Sequence, residues 1–260
     1  MTPTLTTRIW REEPEPGNPF ATRAAHCHGY DVYGEMLGHA GWADMLFLLF
    51  RGEAPWPEQA ELLEMLAVAL ANAGPRDQAV HAAMASAVGG APAAATLIAA
   101  LSVGAGRRDG ARDVFDAMKA WEDCGFDLAA WQQRLAGPAP AQQRLDLWPE
   151  SGRAAGFDPH GDAAAGIVVQ ALDTLAGLAQ AERLRWLARH RAELEAAAGL
   201  PLAMGAVAAA ALADLGFSPE QGEMLFLLLR LPGAAAHALE QRAMGFKRFP
   251  FPAVQLEEAA

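Results

Sequence analysis

Cysteine is nearly absent from this chain: Cys27 and Cys124 are the only two in 260 residues. Two thiols make no disulfide framework, and without a Cys-x-x-Cys spacing neither a structural zinc nor a dithiol redox centre is expected. A reducing, cytoplasmic setting is the compartment this implies. Basic residues are also in short supply. Twenty Lys and Arg face 31 Asp and Glu, a formal net charge of −11, and no cationic cluster exists to neutralise a phosphate backbone. Nucleic acid is therefore not an expected partner, and any anionic ligand must be held by a few local arginines. The N-terminus, MTPTLTTRIWREEPEPGNPF, lacks the basic-then-apolar order of a secretory signal. Residues 91–106 and 199–213 are mostly alanine and glycine and fall short of the roughly 18 to 20 apolar residues that span a bilayer, so no membrane segment is expected. Also missing are a Gly-x-Ser-x-Gly elbow, a P-loop and a Gly-x-Gly-x-x-Gly cradle, which removes the common nucleophile and phosphate-binding motifs.

Long alternating strand patterns and β-branched residues are sparse, whereas alanine is abundant and apolar residues recur at intervals of three and four. Hydrophobic residues make up 52 % of the chain, which excludes disorder over most of its length. The reading is all-α. Residues 29–56 carry apolar faces at Met36-Leu37, Trp42, Met45-Leu46 and Leu48-Leu49, divided by Gly38 and Gly41 and stopped by Gly52, Pro55 and Pro57. An amphipathic helix is expected over 57–74, opening on a proline with Glu58 and Glu61 in its early turns. Further helices are expected over 81–88 and 93–103, across a Gly-Gly-Ala-Pro break, then over 112–123, around Trp131, and over 162–178, 181–198, 205–215 and 218–230. Residues 137–143 read as a linker and 146–159 as a loop. His39 and His81 lie in apolar helical stretches and read as core or interface histidines. His26-Cys27-His28 offers no third ligand at useful spacing, so no metal site is expected.

Several motifs occur in a characteristic order. His28-Gly29-Tyr30-Asp31 is followed by the run Ala43-Asp44-Met45-Leu46 through Pro55, then by Arg107-Arg108-Asp109-Gly110-Ala111, Gly156-Phe157-Asp158-Pro159-His160, Leu200-Pro201-Leu202-Ala203-Met204-Gly205, and Arg230-Leu231-Pro232-Gly233 leading to His237. This order resembles the citrate synthase and citryl-CoA lyase superfamily. The resemblance implies an α-helical dimer with a discontinuous large domain, residues 1–112 and 205–260, around a small inserted domain, residues 113–204. It also implies that a CoA thioester and a small carboxylate meet in the cleft between them as substrates, with no tightly bound cofactor.

Condensing a thioester with a keto acid needs a base for the methyl proton and donors for the enolate and ketone oxygens. The family uses one aspartate and two histidines. Here the aspartate position falls on Gly205. The first histidine position falls on Arg108, or on Asp109 if the register slips by one; an arginine there can hold an oxyanion but takes no proton near neutral pH, and a solvated Arg-Arg pair is the plain alternative. His160 stands in for either the second histidine or the carboxylate-gripping arginine that follows it, or is a surface loop histidine. Arg230, His237 and Arg248 match substrate-binding positions, with Arg248 reaching into the partner subunit's site, because arginine's planar fork pairs both oxygens of a carboxylate. Two functions follow from the resemblance. One is an enzyme that makes or breaks a carbon–carbon bond in a CoA thioester with rearranged catalytic groups. The other is a non-catalytic carboxylate- or CoA-binding homologue, a homodimer or a subunit paired with an active paralogue.

Overall fold

A computed structural model describes residues 6–136 and 154–251; the 137–143 linker and most of the 146–159 loop lie outside the described residues. The chain opens on a hairpin, β1 (Trp10–Glu15) and β2 (Asn18–Cys27), with β3 (Tyr30–Asp31) pairing to the end of β2 in a small antiparallel sheet of order β1-β2-β3. These strands have no counterpart in the helical expectation, and the reason is physical. Most of β2 is exposed and only Ala25 and Cys27 are buried, so the period-two apolar signal spans three residues. Polar cross-strand contacts, Arg23 with Glu13 at 2.8 Å and Thr22 with Glu12 at 3.2 Å, accompany the backbone ladder instead.

After a single π-type turn over Val32–Met36, capped by Asp31, come the helices. They are α1 (Trp42–Arg51), α2 (Pro57–Leu70), α3 (Gln78–Val88), α4 (Ala93–Gly104), α5 (Ala111–Cys124), α6 (Leu128–Ala136), α7 (Gly166–Ala176), α8 (Glu182–Ala198), α9 (Met204–Asp214) and α10 (Pro219–Met244). Gly38 and Gly41 do separate the first helical stretch into two. The two alanine-rich runs became α4 and α9, and no helix among the described residues is long and apolar enough to cross a membrane.

At the centre of the fold lies α9. Every residue from Ala206 to Leu212 is buried, and its alanines present so little bulk that α2, α5, α7, α8 and α10 all pack against it. A second, smaller core joins Val80, Ala83, Met84 and Ala87 of α3 to Ala100 of α4 and to Ala234 and Ala238 of α10. Spanning both cores, α10 runs 14 residues past Arg230, where the sequence reading stopped it. Pro232 has no amide hydrogen to give its own helix, and the next amide, that of Gly233, donates to the Ala71 carbonyl at 2.7 Å. The helix is thus fastened to the end of α2 at the position where a proline suggested it would stop.

Two further devices fix the architecture. Asp214, at the end of α9, caps α8 by accepting from the Arg183 amide at 2.8 and 3.0 Å and the Leu184 amide at 3.1 Å. Trp121 of α5, Trp131 of α6 and Trp186 of α8 meet edge to face or tilted, with centroids 4.9 to 6.1 Å apart. His81 and His39 are both exposed in this chain; His81 lies 5.2 Å from the Phe249 ring rather than in the core.

Candidate ligand cleft

Two segments far apart in sequence zip together to shape the cleft. Phe157 and Leu202 form an antiparallel bridge, the Asp158 amide donates to Pro201 at 2.8 Å, and the Ala203 amide donates to Gly156 at 2.9 Å. Asp158 is thereby set beside Ala203, Met204 and Gly205. Facing them are Asn72 after α2, Phe226 and Arg230 of α10, and Asp109 before α5. Together with apolar side chains of α2 and α7 these residues enclose a space of about 270 Å³.

The aspartate-bearing position of the resembled family is Gly205. A Cβ placed there would lie 3.0 Å from Oδ2 of Asp113, a carboxylate of α5 that is 3 % exposed and accepts the Gly156 amide at 3.0 Å. The wall behind Gly205 is therefore already occupied by a buried carboxylate. An aspartate at 205 would bring a second one against it, an arrangement in which like charges oppose ionisation of both.

Arg230 is the cation of the cleft lining, and it is already engaged. One terminal nitrogen pairs with the Asp77 carboxylate, the other donates to the Asp109 carbonyl at 3.0 Å, and the guanidinium carbon sits 4.9 Å over the Phe226 ring. Asp109 adopts φ +54°, a left-handed conformation that is uncommon for a non-glycine residue. The side chains of Arg230 and Asp77 are 14 % and 15 % exposed. Asp77 is also the cap of α3, its Oδ1 accepting from the Ala79 and Val80 amides at 3.0 and 3.1 Å. Asp77, Asp109 and Arg230 line a second pocket as well, of about 120 Å³, whose other walls include Arg76, Gln78 and Arg108. The ion pair thus stands between the two cavities.

The other sequence-derived candidates occupy distinct places. Arg108 is exposed and lines the second pocket, not the cleft. His160 is exposed beside the cleft, and its amide donates to Oδ1 of Asp158 at 2.8 Å while its ring is outside the lining. His237 is one layer back: its Nε2 meets Oδ1 of Asn72 at 3.1 Å and its Nδ1 lies 3.5 Å from Glu240, so it orients a cleft residue without touching the space. Arg248 lies exposed in the short turn Phe246–Arg248 that follows α10. Among the described residues no three of His, Cys, Asp and Glu come together to hold a metal, and burial raises the Cys27 thiol pKa.

Asp77, Asn72, Asp113 and Asp158 line or support this cleft and are not among the sequence candidates. Asp77 was open to reading as a helix start, being an aspartate just ahead of an apolar-periodic stretch. The contact with Arg230, 153 residues away, has no local signal.

No protein-family model and no curated protein matches the sequence. Solved structures do. The citryl-CoA lyase of Hydrogenobacter thermophilus superposes with a TM-score of 0.69 at 17 % identity, covering 98 % of this chain and 97 % of that one. The ATP citrate lyase of Methanothrix soehngenii, solved with citrate and coenzyme A, gives a TM-score of 0.73 at 18 % identity over all of this chain and 42 % of that larger one. Citrate synthase from Thermoplasma acidophilum gives 0.59 at 15 % identity, covering 85 % of this chain and 58 % of that one. The chain therefore has the helical fold shared by the citryl-CoA lyases and citrate synthases.

Proposed function

We propose that this chain is a non-catalytic homologue on the citrate synthase-like fold, binding a di- or tricarboxylate, or the CoA thioester of one, in the cleft between α2, α9 and α10. The observation that carries the reading is at Gly205: the position of the family's base bears no side chain, and the buried Asp113 carboxylate lies 3.0 Å from where its Cβ would stand. Arg108 points to the neighbouring pocket and His160 to solvent, which leaves the cleft with a carboxylate-binding type of residue in Arg230 and without a histidine in its lining. Fold likeness by itself carries no activity. By the same likeness, residues 1–112 and 205–260 form the large domain and 113–204 the small one, and the protein is a cytoplasmic dimer, of itself or with an active paralogue. Two exposed apolar side chains of α4 support the dimer: Ile98 and Val103 are 60 % and 40 % exposed. By the same likeness, Arg248 serves the partner's site in such a dimer.

The test is to incubate purified protein with acetyl-CoA and oxaloacetate, and separately with citryl-CoA, while following free thiol and acetyl-CoA. No turnover, with saturable calorimetric binding of CoA or citrate, is expected. Sustained turnover refutes the reading, as does a failure of the wild-type chain to bind either ligand. One observation favours a catalytic alternative: Asp158 brings a carboxylate into the cleft beside Gly205. Under that alternative, turnover is present and Asp158→Asn abolishes it.

A further inference from the structure

We infer that Asp77 is a built-in competitor for the cleft's own arginine, so that a carboxylate ligand binds only as fast and as tightly as it can displace Asp77 from Arg230. This rests on the reading that the cleft takes a carboxylate at Arg230, and it sets the affinity and selectivity of that site. A guanidinium grips a carboxylate with two parallel N–H donors. Both terminal nitrogens of Arg230 are committed, one to Asp77 and one to the Asp109 carbonyl. The competitor is no drifting side chain, because its other oxygen is held by the Ala79 and Val80 amides at the start of α3. It therefore faces Arg230 at the high effective concentration of an intramolecular partner, in a place where 14 % and 15 % exposure leaves little screening by salt.

The pair is also the partition between the 270 Å³ cleft and the 120 Å³ pocket. When Asp77 releases Arg230, a ligand in the cleft gains access to a wall that carries Arg76 and Arg108. A ligand with several carboxylates can then use cations on both sides, which a monocarboxylate cannot. Asp109 and Asp158 add negative charge to the closed cleft, so a free polycarboxylate meets repulsion until the partition opens. The competing carboxylate thus makes polyanion binding steep in the state of one ion pair.

The experiment compares citrate binding by calorimetry in wild type, Asp77→Asn and Asp77→Ser. Asparagine keeps the capping oxygen and removes the charge. Serine keeps a capping acceptor on a side chain too short to reach Arg230. Each variant, with its helical circular dichroism retained, is expected to bind citrate about tenfold or more tightly than wild type, the order of effect for freeing a charge-assisted pair. Adding Arg230→Ala to either variant should cancel the gain. Wild-type CoA binding, measured in parallel, reports on the functional reading separately, since CoA uptake does not require a free Arg230 fork. Citrate affinity in both folded variants no higher than in wild type, or a gain that survives Arg230→Ala, overturns the inference even when CoA binds.

Discussion

Gly233 is where two helices touch through their backbones. Its Cβ, if present, would stand 2.5 Å from the Ala71 carbonyl oxygen and 2.7 Å from the Asn72 Cα, and backbone cannot rotate aside as a side chain can. Gly233→Ala is expected to destabilise the chain by roughly 1–3 kcal/mol, the usual cost of overpacking, read as a lower urea midpoint with an unchanged slope. Because Asn72 and His237 sit at the same junction, ligand affinity should fall with it. Asp214 makes a second residue-level prediction. Its side chain is 2 % exposed, and burial raises its pKa although the Arg183 and Leu184 amides pull the other way. A carboxyl whose folded pKa is raised binds its proton more tightly in the folded state. Its contribution is complete below the ordinary value, about pH 4, and is lost as pH rises through the raised folded value. The stability of wild type relative to Asp214→Asn should therefore decline as pH increases across that window, which urea denaturation at a series of pH values measures. A difference that grows with pH would mean that the capping bonds and Arg183 outweigh desolvation. Arg230 was legible from sequence because its helix carries Gly233 and His237 at fixed spacing. The carboxylate that holds it was not, since an ion pair across the fold leaves no periodicity in either segment.

Helices are legible where burial enforces a period of three to four, as in α2 and α8, and obscure where it does not. The β1–β2 hairpin has almost no buried face, so no pattern marked it. The length of α10 was hidden by Pro232, which a local rule treats as a stop. The tertiary bond from Gly233 to Ala71 offsets the missing ladder bond, a fact visible only once α2 is in place. The cleft was legible as the convergence of the 156–160, 200–205 and 230–237 motifs, but the bridge between Phe157 and Leu202 that brings Asp158 into it was not. The interior of α9 offers the sharpest element-level prediction. Ala208 to Ala211 are 0 % exposed, with helices on every side, so Ala209→Leu has no room to repack. It should cost about 1–3 kcal/mol, whereas Ala192→Leu on the exposed side of α8 should change stability within about 0.5 kcal/mol. Equal losses at the two sites in thermal or urea melts would contradict the packing described for α9.

For the molecule as a whole, the proposed dimer and the single large core lead to separate expectations. If copies associate over α4, wild type sediments at twice the chain mass of 27.5 kDa, and Ile98→Asp, which introduces a charge into an apolar patch, shifts it to the monomer at micromolar concentration. Wild type sedimenting as a monomer would refute self-association over α4. The main core runs without interruption from α1 and α2 through α5–α10, so most of the chain should unfold together. The three indoles of α5, α6 and α8 give that expectation an optical signature. Chromophores held 4.9 to 6.1 Å apart and inclined to one another couple their electronic transitions, producing a paired positive and negative band in circular dichroism that isolated tryptophans lack. The couplet weakens when one of the three helices leaves the others and vanishes when all three separate, even with each helix intact. Followed beside the helical signal during denaturation, it distinguishes the loss of helices from their separation, and so reports whether the region carried by residues 113–204 comes apart with the rest or before it.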